Sequence, residues 1–299
     1  MNRLEVRIKR IILQIVAYTL YTMVAFLVIL YVTFPYDLLQ QRLVEWVSQS
    51  GVQLTMARLR PAFPPGVRAQ DVRLAADQLG PNATIVHIDT LRVQPEWLAL
   101  LSRKMQARFV AGLYGGRLEG EARYARVEGA PLWDVKARFA DLDVARYPMV
   151  RKDDKAFIRG RLSGEATVTL TGDGQMQDGT FNLRMQPMAL AGAPGWQLQL
   201  QREIACDTLQ GELKTTPKQG SNVLLTCQGK DLAIEARGTV GWRAPLTDSQ
   251  LNVRWQVHSE EAYKSELELL AALVRKRLDR RGELSFRLQG PLRQLRLGA

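Results

Sequence analysis

Twenty-four consecutive residues without a charge, Ile11 to Phe34 (IILQIVAYTLYTMVAFLVILYVTF), constrain this 299-residue chain more than anything else in it. As a helix rising 1.5 Å per residue, the stretch reaches about 36 Å, enough to cross a hydrocarbon core of roughly 30 Å with some tilt. Arg3, Arg7, Lys9 and Arg10 precede it with Glu5 as the one acidic residue, and the first charge after it is Asp37. That asymmetry predicts a cytoplasmic N-terminus and export of everything after Phe34. The apolar run outlasts the core of a cleaved signal peptide, and YVTFPYD offers no small-x-small cleavage site, so an uncleaved anchor is expected. No second stretch of comparable length follows. The expected organisation is a cytoplasmic basic tail (1–10), a transmembrane signal anchor (11–34) and one exported domain (35–299), periplasmic if the membrane is a bacterial inner membrane.

Beyond the anchor, Pro35–Ser50 reads as an amphipathic helix with Leu39, Leu43, Trp46 and Val47 on one stripe. The hydrophobic period then drops from 3.6 to 2. In AFIRGRLSGEATVTL, Ile158, Gly160, Leu162, Gly164, Ala166, Val168 and Leu170 alternate with Arg159, Arg161, Ser163, Glu165, Thr167 and Thr169. Leu232, Ile234, Ala236, Gly238 and Val240 repeat the pattern, as do Leu251, Val253, Trp255 and Val257, and then Leu284, Phe286 and Leu288. Alternation this regular predicts a mainly β domain: a long, curved, mostly antiparallel sheet, groove-like or folded over, with one apolar and one wet face. Further strands are expected near 52–59, 66–75, 84–93, 104–114, 116–127, 131–139 and 179–186, and helices at 95–102 and 259–281. The apolar rows carry many small residues, among them Gly120, Ala122, Gly160, Gly164, Ala166 and Gly238. Two readings fit. Small residues accommodate a tightly folded sheet or a packed helix, or they line a groove for an acyl chain, here Ile158, Gly160, Leu162, Gly164 and Ala166 with Leu232, Ile234, Ala236, Gly238 and Val240.

Two cysteines, Cys206 and Cys227, flank an expected hairpin turning near Pro217, which sets them roughly opposite each other. In an oxidising compartment a disulfide is expected; two reduced, buried thiols are the alternative. Catalytic signatures are missing. His87 and His258 stand in no HExxH or CxxC context, and no GxSxG, Walker A or GxGxxG occurs. No metal, cofactor or catalytic residue is therefore expected. The net charge of +11 invites a nucleic-acid reading, but its distribution argues against one. Residues 1–10 carry +3 and residues 274–299 carry +6, leaving a nearly neutral body. The basic residues of the body alternate along strands with no aromatic stacking platform beside them. Arg275, Lys276, Arg277, Arg280 and Arg281 form a local patch suited to an acidic partner or anionic lipid head groups, or else a solvated helix end.

The order of several segments resembles the type II secretion protein N (GspN) family and, more broadly, AsmA-like proteins. The segments are FPYDLLQQRL at 34–43, PAFPPGVRAQDVRL at 61–74, IDTLRVQPEWLALLS at 88–102, LYGGRLEGEARY at 113–124 and LSFRLQGPLRQLRL at 284–297. These are strand patterns that span most of the chain. The resemblance implies a single-pass, inner-membrane accessory of the type II (general) secretion pathway, its periplasmic domain contacting other secretion components. The AsmA-like side of the resemblance implies phospholipid binding or transfer in an apolar β-groove. No catalytic residues come with either.

Overall fold

The computed structural model describes residues 3–48, 52–63, 65–76, 84–96, 99, 105–127, 130–148, 151–152, 155–156, 158–172, 176–193, 198–216, 220–229, 232–241, 249–259, 267–268, 271–272, 277–279, 282–291 and 296–298. Helix α1 (Arg3–Thr33) contains Leu13–Tyr31, long and apolar enough to cross a membrane. Pro35 breaks it, because a residue before proline is pushed out of helical backbone, and α2 (Tyr36–Ser48) restarts with the Leu38 and Leu39 amides donating to the Pro35 carbonyl.

Apart from a 3-10 turn at Val144–Arg146 and the helical residues at 99, 267–268 and 271–272, the regular elements of the rest of the described chain are strands: β1 (Val52–Thr55), β2 (Arg58–Ala62), β3 (Gly66–Ala76), β4 (Thr84–Pro95), β5 (Met105–Leu113), β6 (Gly116–Val127), β7 (Ala130–Asp143), β8 (Arg151–Lys152), β9 (Lys155–Ala156), β10 (Ile158–Thr171), β11 (Met176–Ala193), β12 (Leu198–Cys206), β13 (Thr208–Thr216), β14 (Gly220–Gln228), β15 (Leu232–Gly241), β16 (Gln250–Ser259), β17 (Leu284–Pro291) and β18 (Arg296–Gly298). Sixteen of these form one antiparallel sheet in the order β1-β3-β4-β5-β6-β7-β10-β11-β13-β14-β15-β16-β17-β18, with β2 also on β3 and β12 also on β11. Nearly every strand therefore pairs with its neighbour in sequence, as short turns between amphipathic strands favour. At the β5–β6 hairpin, Tyr114 and Gly115 both take positive φ (50° and 76°), the two-residue turn whose twist matches flanking strands.

Three packing centres lie along the sheet. Leu54, Leu59, Ala69 and Val72 pack under Tyr36, Leu39, Val44 and Val47 of α2. Met185, Leu209 and both cysteines form the middle one. Leu267 and Ala271, which are helical, close the far end over Val257, Leu284, Phe286 and Leu288.

Two expected helices differ from the structure. Pro95 closes β4, paired with Ala107, Glu96 is not helical, and within 95–102 only Ala99 is helical among the described residues. Ser259, the first residue of the range 259–281, is the last residue of β16, held opposite Leu232 by the ladder, and residues 260–266 lie outside the described residues. At the other end Arg277–Asp279 are outside any helix: the Asp279 amide donates to the Glu283 carbonyl (3.0 Å), and the Gly282 amide returns to Asp279 (3.1 Å). That turn competes successfully with the helical period.

Cys206 and Cys227 form a disulfide across a sequence separation of 21. The hairpin β13–β14 exists, but its register places Leu209, not Cys206, opposite Cys227. Cys206 ends β12, paired with Met188, and the chain bends at Asp207 before β13 begins. The bridge thus fastens two successive segments that share β11 to the next strand along. In the chain-entropy picture a loop of this size contributes about 3 kcal/mol. Urea unfolding of the detergent-solubilised chain should accordingly lose roughly that amount in the C206A/C227A variant.

Candidate functional site

Residues directly opposite in an antiparallel pair project to the same side, so the registers can be followed across the sheet. From β2, the file runs Leu59, Ala69, Leu91, Ala111, Leu118 and Phe139 through β7. It continues through Gly164, Leu183, Gly211, Leu225 and Ala236 to Trp255 and Phe286. Thirteen successive strands contribute, and none places a polar side chain in it. A parallel file two residues along passes through Val67, Phe109, Gly120, Ala166, Phe181, Leu213, Val223, Gly238 and Val253. The two sequence-predicted sets therefore lie on one face, linked rung by rung through β11, β13 and β14. Ile158, Leu162 and Ile234 also meet around the disulfide cluster. Leu232 opens β15.

The small residues do not leave slots. A Cβ at Gly164 would lie 2.7 Å from the Phe139 ring and 2.1 Å from the Asn182 carbonyl oxygen; one at Gly120 would lie 2.6 Å from the Phe109 ring. Leu183 covers Gly211 in the same way. Large side chains of one strand are seated over glycines of the next, a cross-strand filling that sheets use where two large neighbours would collide. Gly160 has a different reason: it is the unpaired residue of a bulge, with φ 153°. At these glycines the apolar surface is filled by the side chains of neighbouring strands.

Its ends are buried, and between them the row through Met185, Leu209 and Cys227 is buried too, but the middle of the two files is less so. Ala236 and Leu284 are 1% and 0% exposed, whereas Phe109, Leu118, Phe139, Phe181, Leu213 and Val223 are only half-buried. Trp255 stacks parallel to Phe286 at 6.2 Å, and its indole Nε1, though buried, has no hydrogen-bond partner among the described residues. A buried donor left this way is costly unless something else supplies an acceptor.

The opposite face is polar. Arg138 donates to Glu165 across the β7–β10 pair (2.6 Å). The row through them begins with Arg60, Arg68 and Arg92 and ends with Arg237, Arg254 and Arg287. The last three line an open concavity of about 530 Å³ with Glu235 and Asn252; Arg237 pairs with Glu235, and Arg287 donates to Asn252 (2.7 Å). Of the predicted C-terminal patch, Arg277 is exposed and not helical, while Arg275, Lys276, Arg280 and Arg281 lie outside the described residues.

The membrane end carries a joint that the sequence did not announce. The Tyr31 hydroxyl, at the end of the apolar span, accepts from the amides of Ala62 (2.9 Å) and Gly66 (3.1 Å) and gives its proton to one of their carbonyls (2.8 and 2.6 Å away). Tyr36 donates to the Tyr31 carbonyl at 2.8 Å, and Gln40 donates to Met56 at 3.0 Å. Burial, then the neighbouring Tyr31, push the Tyr36 hydroxyl's pKa up. The only advance signal was the tyrosine itself, which could equally have been an interfacial belt residue.

A second polar cluster lies where β3 and β4 meet. Asp71, at φ 51° and outside the ladder, stands 2.8 Å from His87 Nε2 and 3.1 Å from the Arg73 guanidinium. The His87 hydrogen bond, ahead of Arg73, holds the Asp71 carboxyl below the usual range. Among the described residues no group of three His, Cys, Asp or Glu side chains is arranged to hold a metal. Comparisons with protein families, with characterised proteins and with solved structures give no match.

Two outcomes test these contacts. Gly164→Val should destabilise by about 1–3 kcal/mol in a denaturant melt, because its Cβ must displace backbone and the Phe139 ring. Because the Asp71 carboxyl is lowered in the folded chain, its stabilising contribution is complete above the ordinary aspartate value of about 3.9 and is lost as pH falls through the folded value. A carboxyl-detected NMR titration of His87→Ala should show Asp71 titrating at higher pH than in the parent chain.

Proposed function

We propose that this chain is a membrane-anchored, non-enzymatic envelope protein that holds phospholipid acyl chains along the apolar face of its sheet. The observation that carries this reading is the apolar file through thirteen strands, half-buried between its covered ends. Its first end lies under α2, which follows the membrane helix directly, so lipid leaving a bilayer would meet apolar surface at once. Seated glycines suit mobile, unbranched chains: the surface offers continuous dispersion contact with no pocket that demands one shape. The basic N-terminal flank supports a cytoplasmic N-terminus, and the disulfide supports an oxidising compartment, which together fit a bacterial inner membrane and periplasm.

A second reading makes the domain an accessory of the type II secretion pathway. It is favoured by the order of the GspN-like segments and by an open sheet whose terminal strands, β1 with β2 at one side and β18 at the other, can accept a partner strand.

Photo-crosslinking in cells separates the two. A benzophenone side chain at Phe139 or Phe181 is expected to capture phospholipid, while the same group at Lys136 or Thr180 on the polar face captures none. Absence of lipid adducts at both apolar positions, or equal adducts on both faces, overturns the lipid reading. Protein adducts concentrated on β1 or β18 favour the second.

A further inference from the structure

The hairpin that Tyr31 clamps carries an arrangement neither reading accounts for. Arg60 of β2, Arg68 of β3 and Arg92 of β4 stand directly opposite one another on adjacent strands. Like charges facing across a ladder repel. This face interleaves carboxylates at Glu119, Arg138 and Glu165, and where Arg237, Arg254 and Arg287 also face one another, the outer two are held by Glu235 and Asn252. At Arg60, Arg68 and Arg92 no carboxylate is interleaved. Arg92 donates to the Phe63 carbonyl, but Arg60 and Arg68 are exposed and make no ion pair or hydrogen bond among the described residues. Position supplies the missing anion. The apolar span ends at Tyr31, whose hydroxyl is bonded to Ala62 and Gly66, two residues beyond Arg60 and two before Arg68. At about 3.3 Å per residue, those guanidinium-bearing positions start about 7 Å from the membrane helix. Phe63, at the tip between them, is 87% exposed, a large apolar ring with nothing of the protein over it.

We propose that Arg60, Arg68 and Arg92 form a head-group site for anionic phospholipid at the surface of the membrane that α1 crosses, with Phe63 set into the interface beside it. Arginine forks match phosphate oxygens bidentately, and three on adjacent strands neutralise one phosphodiester while relieving their own repulsion. The aromatic ring occupies the depth at which amphipathic anchors lie. The proposal rests on α1 spanning the bilayer and not on the apolar face holding lipid.

The test uses the full chain in phosphatidylcholine vesicles, with the association of spin-labelled phosphatidylglycerol measured relative to spin-labelled phosphatidylcholine. The N-terminal basic residues contribute equally in every variant, so differences report on the hairpin. R60Q/R68Q is expected to lower the preference for phosphatidylglycerol about fivefold or more, while R60K/R68K retains most of it. An unchanged preference in an R60Q/R68Q protein with native near-ultraviolet circular dichroism overturns the proposal, as does an unchanged preference accompanied by loss of an acidic protein partner. Should the glutamine pair fail to fold, wild-type protein at low and high salt decides, since a preference that salt leaves untouched cannot come from exposed arginines. Loss of preference in R60Q/R68Q together with failed crosslinking at both Phe139 and Phe181 would sink the acyl-chain reading and leave this one standing.

Discussion

A single sheet that must cover its own apolar face is the constraint from which the rest of this structure follows. In a two-layer domain the inward side chains of one layer are buried by the other. Here α2 covers one end, Leu267 and Ala271 the other, and Val144 packs on the disulfide cluster between them. Along the rest of the described face the strands bury apolar residues largely against those of their neighbours. That requirement explains the pairing of Phe109 with Gly120, Phe139 with Gly164 and Leu183 with Gly211, in which a large side chain occupies the room its opposite number gives up. The same economy leaves Phe109, Leu118, Phe139 and Phe181 only partly buried.

The disulfide and the Tyr31 joint solve a mechanical problem for such a sheet. An extended meander gains little from long-range packing, so its geometry is set by nearest-neighbour ladders. Cys206–Cys227 adds one covalent tie where β12 leaves off and β13 begins, the point at which the ladder on β11 is interrupted. Tyr31 ties the other end to the apolar helix with one hydroxyl that accepts from two backbone amides and donates to one carbonyl, and α2 then packs over the adjoining strands. The position of the sheet relative to the apolar helix is therefore built into the fold, since only Phe34 and Pro35 separate α1 from α2.

Most of the strands were legible because period-2 alternation is a property of consecutive residues and needs no partner to be seen. The candidate groove residues of β10 and β15 were placed on apolar faces for that reason, and the structure puts both on the same one. What those small residues do was not legible. Whether Gly164 opens a slot or seats a ring depends on Phe139, 25 positions away in sequence, arriving opposite it. Counting outward from Pro217 placed the cysteines nearly opposite, yet the ladder pairs Cys227 with Leu209, because the bend at Asp207 has no signal in a hairpin count. The helix read over 259–281 is helical at Leu267, Glu268, Ala271 and Ala272 among the described residues, but Ser259 belongs to β16 and its C-terminal end gives way to the turn at Asp279, contacts its own period could not reveal.

The sequence alone determined the long apolar helix, the strand-rich class and which residues of each strand are apolar, since each is written in composition and periodicity over a few neighbouring positions. The tertiary structure decided register, and with it everything made by residues meeting across strands: the apolar file from Leu59 to Phe286, the seated glycines and the opposed arginines 60, 68 and 92. Register is the outcome of many ladders summed across the sheet, and a one-residue slip in any of them would turn an apolar row to water.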